Sequence, residues 1–175
     1  MAICVKSLIC RLLSMPYAFL ALIAFSIFAL AGALVAQYVF GLAPCPLCVY
    51  QRIPYFLAIF IGLLGVYSYR TQRMKLAYAT MGVLGLTFLV NSVLAAFHSG
   101  VERKWWRGFE GCSTPDMSGS MSDVLARIQA APIARCDVIP WADPILGLSM
   151  ANYNVAVCFC AALFCGVVYL RGKGA

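Results

Sequence analysis

Hydrophobic residues in this 175-residue chain fall into four long runs, which polar and charged residues separate. The runs cover about 15–40, 53–69, 76–97 and 145–170, and none of them contains a lysine, arginine, aspartate or glutamate. A membrane-spanning helix needs roughly 20 apolar residues. Three runs reach that length, and the shorter second run opens with a proline, which the first turn of a helix tolerates. The pattern therefore predicts four membrane-spanning helices.

The composition supports this prediction. Hydrophobic residues make up 63% of the chain and charged residues 11%, with a mean hydropathy of +0.90, whereas a soluble domain carries roughly 25% charged residues. These values exclude a soluble globule, a disordered chain and a collagen-like fibre. We predict an all-α membrane protein, a four-transmembrane-helix bundle formed by 1–175 as one domain, with loops at about 41–51 and 98–149. The first run lacks a small-residue cleavage site, so we expect it to remain as a span.

The charged residues indicate which segments share a side of the membrane. All six acidic residues fall in the stretch 98–149, whereas short basic clusters at 6–11, 70–75 and 171–173 flank the apolar runs. Such clusters are typical of cytoplasmic segments. We therefore expect both termini in the cytoplasm and the loops at 41–51 and 98–149 on the outer side. The net charge of +7 does not indicate a nucleic-acid partner, because the apolar runs keep the basic clusters apart.

The nine cysteines divide into two groups in this topology. Five lie in the cytoplasmic tail or the fourth run, where we expect only small apolar side chains; they are Cys4, Cys10, Cys158, Cys160 and Cys165. The other four lie on the outer side, where disulfides form; they are Cys45, Cys48, Cys112 and Cys136. Four cysteines allow three pairings, and the spacing favours Cys45 with Cys48 and Cys112 with Cys136.

The first pair stands in a Cys-x-x-Cys motif directly before the second run. So small a loop adds little stability when it is crosslinked, which favours redox exchange or metal binding over a structural role. Cys48 is expected near the N-terminus of a helix, where the helix dipole stabilises a thiolate. Arg52 follows one helical turn later. Its charge near the membrane is costly, so we expect an anionic partner such as a thiolate or an electron-rich ligand, or else lipid headgroups.

The second pair allows two interpretations. Cys112 and Cys136 lie 24 positions apart, and their crosslink could stabilise the loop by about 3.5 kcal/mol. The Gly- and Ser-rich stretch around Cys112 instead favours a mobile, exchangeable disulfide. His98 lies where the third run meets the long loop, and either hydrogen bonding or catalysis suits it. Trp105, Trp106 and Trp141 are interpreted as interfacial anchors.

Three local segments carry a resemblance to a known family. They are Cys45-Pro-Leu-Cys48-Val-Tyr-Gln-Arg52, Phe97-His98-Ser-Gly-Val-Glu102 and Leu146-Gly-Leu-Ser-Met150. With four spans, an outer Cys-x-x-Cys pair before the second span and a second pair in a long outer loop, the chain resembles the DsbB family of bacterial inner-membrane thiol oxidases. The resemblance covers nearly the whole chain.

The resemblance implies a thiol:quinone oxidoreductase that supports disulfide bond formation. The implied partner is a periplasmic thioredoxin-fold dithiol protein of the DsbA type, and the implied cofactor is a quinone, ubiquinone or menaquinone. The partner would attack Cys112 and form a mixed disulfide, and Cys136 would then attack Cys45 or be reoxidised through the Cys45–Cys48 pair. No metal is implied, and the location would be the bacterial inner membrane, in contact with membrane lipid.

The resemblance also implies roles for three further residues. The Cys48 thiolate would pass electrons to the quinone, and Arg52 would stabilise both the thiolate and the reduced quinone. His98 and Met150, matched by position, would line the quinone site. All of these residues are expected at the outer ends of spans two, three and four.

Three rival interpretations predict different uses of the same residues. A relative of the vitamin K epoxide reductase type would carry its Cys-x-x-Cys motif late in the chain, whereas Cys45 is early. A non-enzymatic tetraspan scaffold with a structural loop disulfide would have no use for Cys45, Cys48 or Arg52. A metal-binding membrane protein would need more ligands than these cysteines and His98, the only histidine.

Overall fold

The computed structural model describes residues 13–109, 112, 118–130 and 134–173. Several features singled out above lie outside the described residues: Cys4, Cys10, the basic cluster at 6–11 and most of the Gly- and Ser-rich stretch around Cys112. Within the described part of the chain the structure is helical, and strand-like pairing is limited to one isolated bridge between Ala142 and Ser149.

Six helices follow one another in the described part of the chain. They are α1 (Met15–Tyr38), α2 (Pro46–Tyr50), α3 (Arg52–Arg70), α4 (Met74–Glu102), α5 (Met121–Ala130) and α6 (Met150–Lys173). Four segments are long and apolar enough to cross a membrane: α1, the nearly continuous pair α2 and α3, α4, and α6. The predicted all-α membrane fold with four spanning helices is therefore confirmed.

Two of these helices have ends that differ from the ends of the apolar runs. Helix α4 continues past its run to Glu102, so His98 is a helical residue. Helix α6 begins only at Met150, although the apolar run begins at about 145. A turn precedes it, in which the Asp143 carboxylate accepts from the Leu146 N–H at 2.7 Å and Gly147 has φ of +64°. Glycine suits that left-handed conformation because it has no Cβ.

The spanning helices pack in the order α1, α3, α4, α6, and the contact between α1 and α6 is slight. Helices α1 and α3 approach closely because Gly65 has no side chain: a Cβ there would lie 2.3 Å from the Phe19 ring. Large apolar side chains such as Phe28 and Phe60 point outward, as helices in lipid require. The slight contact between α1 and α6 leaves a seam along the bundle, and the seam matters for the site.

The segment after α4 folds back on the helix through aromatic contacts. The Trp106 ring stacks on Phe97 with centroids 5.9 Å apart, and Phe97 also packs against Phe109 at 5.2 Å. Trp106 lies directly against Gly100, where a Cβ would come within 2.0 Å of the ring, and its indole N–H donates to the Phe97 carbonyl. The predicted anchor Trp106 thus holds the start of the long loop against α4.

Candidate functional site

The first cysteine pair lies at the beginning of α2. Cys45 is the N-cap residue and Pro46 follows in the first turn, where its missing N–H is not needed. The Cys45 Sγ accepts from the Cys48 backbone N–H at 3.3 Å, and the two Sγ atoms are 2.9 Å apart. The free N–H of the helix N-terminus therefore points at Cys45, whereas the sequence predicted this stabilisation for Cys48.

The second pair is also brought together, although 24 positions separate its members. The Sγ atoms of Cys112 and Cys136 are 2.6 Å apart, and the Cys136 N–H donates to the Cys112 carbonyl at 2.9 Å. Both side chains are buried. The geometry agrees with the pairing that the spacing favours.

The two pairs meet at Cys136. Cys45, Cys112 and Cys136 share one buried apolar cluster with Leu47 and Val101. Burial and, after it, the contact with Cys112 raise the pKa of Cys136 to about 12, although hydrogen bonds from the Leu47 backbone N–H and from Cys45 act to lower it. One sulfur thus contacts a member of each pair, which is the geometry that thiol–disulfide exchange between the pairs needs.

His98 projects from α4 into the first pair. Its Nε2 lies 3.5 Å from the Cys45 Sγ and 3.8 Å from a carboxylate oxygen of Glu102, one turn later on α4. Its Nδ1 lies 2.9 Å from the Gln51 side-chain nitrogen. Glu102 is buried, and its second oxygen accepts from the Ser149 hydroxyl. His98 is therefore enclosed by polar groups from both ends of α2 and from its own helix, α4.

Arg52 begins α3 and points toward α1. Its guanidinium donates to the Gln37 side-chain oxygen at 2.8 Å. Among the described residues Arg52 has no acidic partner, since the ion pairs there join His98 with Glu102 and Arg135 with Asp137. The guanidinium is therefore available to an electron-rich group that enters the neighbouring cavity.

A cavity of about 610 Å³ lies beside these residues, in the seam between α1 and α6. Small residues of α1 form one wall: Ala29, Gly32, Ala33 and Ala36. The lining also includes the predicted site residues Cys45, Cys48, Arg52, His98 and Met150. An apolar cavity with a few convergent polar groups is the usual form of a small-molecule site. The structure thus brings five of the predicted residues to one cavity, and Cys112 and Cys136 lie behind Cys45.

A chain of polar side chains continues from the site into the bundle. The Asn154 side-chain N–H donates to the Gln51 oxygen at 2.6 Å, and the Tyr55 hydroxyl donates to the Asn154 oxygen. The Cys158 thiol completes the chain, 3.1 Å from the Tyr55 oxygen and 3.3 Å from the Asn154 oxygen. Sequence reasoning missed Gln51 and Asn154. The sequence did carry one indication of them, because each is a polar amide in or beside an apolar run, where an amide without a hydrogen-bond partner costs free energy.

The same geometry bears on the metal-binding interpretation. The Cys45 and Cys48 sulfurs and a ring nitrogen of His98 lie within 4.8 Å of one another. Two thiolates and one imidazole are ligands that Zn²⁺ accepts. The structure therefore supplies a three-ligand cluster, although only one histidine exists in the chain.

The comparisons with known proteins agree on one family. The family profile described as disulfide bond formation protein DsbB matches residues 16–168. A disulfide bond formation protein B from a Polaromonas species is 30% identical over 90% of this chain and 92% of its own length, and one from Polaromonas naphthalenivorans is 32% identical over 85% and 87%. An uncharacterised protein of Rickettsia prowazekii is 33% identical over 88% and 87%. No solved structure matches the chain significantly.

The family profile covers all four spans and both cysteine pairs, and the relatives align over most of their own length. The chain therefore belongs to the DsbB family, the disulfide oxidoreductases of disulfide bond formation.

Proposed function

We propose that this protein oxidises a thioredoxin-fold dithiol protein and passes the electrons to a membrane quinone. One observation carries the proposal: Cys136 contacts both Cys112 and Cys45, so the two pairs are joined next to a cavity in the membrane. The partner is of the DsbA type, in the periplasm. Both termini are cytoplasmic, which places Cys45 and Cys112 on the periplasmic side.

The exchange begins at the second pair. A thiolate of the partner attacks the Cys112 sulfur, the Cys112–Cys136 bond breaks, and Cys136 leaves as a thiolate. The second thiolate of the partner then attacks the mixed disulfide, which oxidises the partner and releases Cys112. Two electrons now reside on Cys112 and Cys136, and the two thiol protons remain in the site or in water.

The contact between Cys136 and Cys45 supports the next transfer. The Cys136 thiolate attacks Cys45 and displaces Cys48 as a thiolate. Cys112 then attacks Cys136, which re-forms the second disulfide and releases Cys45. The Cys45 Sγ accepts a hydrogen bond from the Cys48 N–H, and a stabilised thiolate leaves faster. The first pair ends as the dithiol, with both electrons beside the cavity.

The cavity fits a quinone head. Its α1 wall of alanines and glycine leaves room for a flat ring, and Arg52 and His98 also line the cavity. The slight contact between α1 and α6 gives a lipid-soluble molecule a lateral entrance. When bound there, ubiquinone or menaquinone would supply a two-electron, two-proton acceptor.

The chain's residues then have separate tasks. Cys48 lines the cavity and holds the thiolate that gives up the electrons. Arg52, free of an acidic partner among the described residues, stabilises negative charge on Cys48 and on a quinone oxygen. His98 and Met150 line the same cavity and orient the ring.

The direct test mixes the purified protein, a reduced thioredoxin-fold substrate and a soluble quinone, and follows quinone reduction by absorbance. We expect turnover in the wild type and less than about 1% of that rate in Cys48→Ala. The loss is large because removing one member of a catalytic unit costs about as much as removing all of its members. Cys160→Ala is the matched control, since Cys160 is exposed on α6 and lines no part of the cavity.

A wild-type protein that reduces no quinone, or a Cys48→Ala variant with unchanged turnover, refutes the enzyme proposal. Either result would favour the alternative of a membrane scaffold whose loop disulfide is structural. A Cys160→Ala variant as inactive as Cys48→Ala would show that loss of any thiol disturbs the fold, and it would remove the support that Cys48→Ala gives.

A further inference from the structure

The His98 ring has a different neighbour at each nitrogen. Nδ1 faces the Gln51 side-chain nitrogen at 2.9 Å, whereas Nε2 faces the Cys45 Sγ at 3.5 Å and the Glu102 carboxylate at 3.8 Å. The ring is buried. A neutral histidine carries one proton, and the hydrogen bond at one nitrogen decides which nitrogen holds it.

The orientation of the Gln51 amide is determined by its other partners. The same nitrogen that faces His98 lies 3.2 Å from the Leu47 carbonyl oxygen, which can only accept. The Gln51 oxygen accepts from the Asn154 amide at 2.6 Å. A flipped amide would place two oxygens against each other at Leu47, so the Gln51 end facing His98 is a donor.

We infer that Gln51 is a positioning residue that keeps the proton of neutral His98 on Nε2. Because Gln51 donates to Nδ1, that nitrogen uses its lone pair and carries no proton. Glu102 favours the same tautomer, because its carboxylate faces Nε2 and a carboxylate attracts an N–H there and repels a nitrogen lone pair. His98 therefore presents an N–H toward the Cys45 sulfur.

This arrangement deepens the proposed function, on which its catalytic consequence rests. In that exchange Cys45 leaves as a thiolate when the second disulfide re-forms. Two donors then converge on its sulfur: the Cys48 backbone N–H and the His98 Nε2–H. Hydrogen bonds to a charged group are stronger than neutral ones. His98 thus acts on Cys45 as a donor and not as a base.

The His98 tautomer also sets the affinity of the three-ligand cluster for metal ions. A metal bound at Nε2 needs the lone pair of that nitrogen, and the donor at Nδ1 keeps the proton there. Histidine ligands in metal sites normally donate their other N–H to an acceptor, which is the reverse of the Gln51 contact. The wild-type cluster of Cys45, Cys48 and His98 is therefore a poor zinc site despite its ligand types.

The test observes the ring directly. His98 is the only histidine, so ¹⁵N-histidine labelling of the whole protein reports this ring alone. We would record ¹⁵N NMR spectra of the reduced protein in detergent at about pH 8.5, above the usual histidine pKa of about 6.5. We expect a protonated Nε2 and an unprotonated Nδ1. A spectrum with the proton on Nδ1, or with both tautomers equally populated, overturns the inference without any turnover measurement.

Two substitutions at one position sharpen the result. Gln51→Glu replaces the donor with an acceptor, so the proton should move to Nδ1 and the affinity of the reduced protein for Zn²⁺ should rise about tenfold or more. Gln51→Leu removes the donor, so both tautomers of His98 should be populated. Turnover should then fall about tenfold, because His98 loses part of its hydrogen bond to the charged Cys45 thiolate. Zinc affinity would be measured by competition with a coloured chelator.

Ser92→Ala is the matched control. Ser92 donates to the Val155 carbonyl and joins α4 to α6, as Gln51 and Asn154 join α3 to α6, but it does not touch His98. Its spectrum and zinc affinity should match the wild type. Wild-type zinc affinity as high as that of Gln51→Glu, or a control that shifts the tautomer as strongly, refutes the role of Gln51. A wild type with the expected tautomer but no turnover instead refutes the proposed function.

Discussion

Two buried cysteines lie at opposite ends of one hydrogen-bonded chain, and we propose redox chemistry for only one of them. Cys45 is 4% exposed and Cys158 is 0% exposed. Both contact polar side chains: Cys45 lies near His98, and Cys158 near Tyr55, Asn91 and Asn154. Burial and polar surroundings are therefore common to both.

What differs is the presence of further sulfurs and of an entrance. Cys45 contacts Cys48 and Cys136 and lines the cavity. Cys158 lines no described cavity, and its described hydrogen bonds go to side chains other than cysteine. A thiol in a polar pocket is thus not by itself a redox site, because exchange needs a second sulfur within reach and an acceptor.

The largest effect is expected where the two cysteine pairs join. Cys136→Ala removes the only described sulfur that contacts both Cys112 and Cys45. We expect quinone reduction below about 1% of the wild-type rate, as for the loss of one member of a coupled unit. Without Cys136 the partner finds no second disulfide to attack, so the partner's own thiols should stay reduced, which labelling of its free thiols would show.

Cys158→Ala provides the other half of this comparison. It removes an equally buried sulfur from the far end of the polar chain, so turnover should stay close to wild type and the partner should become oxidised. If Cys158→Ala loses turnover as completely as Cys136→Ala, the distinction between the two ends of the chain is wrong.

A smaller effect is expected at Arg52, which separates use of the quinone from use of the partner. Arg52→Ala leaves Gln37 without its donor and removes one of the two guanidinium groups that line the cavity. We expect the KM for quinone to rise about tenfold, since a hydrogen bond to a charged group is lost. The KM for the reduced partner should not change. Steady-state kinetics with each substrate varied in turn measure both values.

Arg52→Lys is the matched variant, because it keeps the charge but loses the planar fork of donors. Its quinone KM should fall between those of Arg52→Ala and the wild type. An unchanged quinone KM in Arg52→Ala, or an equal rise in the partner KM, removes the role assigned to this residue.

The fold could be predicted from the sequence because it depends mainly on the length of uncharged apolar runs, which can be read along the chain. A run of about 20 apolar residues without charge spans a membrane as a helix wherever it stands in the chain. The four spanning segments accordingly overlap the four runs. The longest part of a run that is not helical, 145–149, carries Gly147 in a left-handed conformation and a side-chain cap from Asp143. Those local contacts outweighed hydrophobicity.

The site could be predicted only in part, because its remaining determinants are contacts between distant segments. The spacing of the cysteines favoured the pairs, whereas the approach of Cys136 to Cys45 was implied only by the family resemblance and depends on how the long loop folds. Arg52 attracted notice because a charge beside the membrane is costly. Gln51 and Asn154 are uncharged and lie in or beside apolar runs, so their hydrogen bond becomes visible only when α3 and α6 are packed together.

The smallest effect is expected at Asn91, where the polar chain ends on Cys158. The Asn91 amide donates to the Cys158 sulfur at 3.4 Å, and its side-chain oxygen is buried without a partner among the described residues. Sulfur is a weak acceptor, and an unpaired buried oxygen costs free energy. Asn91→Leu should therefore change the free energy of unfolding by less than about 1 kcal/mol, in either direction.

Asn154→Leu is the contrasting substitution on the facing helix. Asn154 bonds to Gln51 and Tyr55 at once, so its loss leaves partners unpaired and should lower the free energy of unfolding by about 1–3 kcal/mol. Thermal unfolding in detergent, followed by circular dichroism, compares the two variants. If Asn91→Leu is the more destabilising of the pair, then the Cys158 end contributes more to stability than the Gln51 end. The main role of the polar chain would then be to stabilise the fold, and not to hold the residues of the site in place.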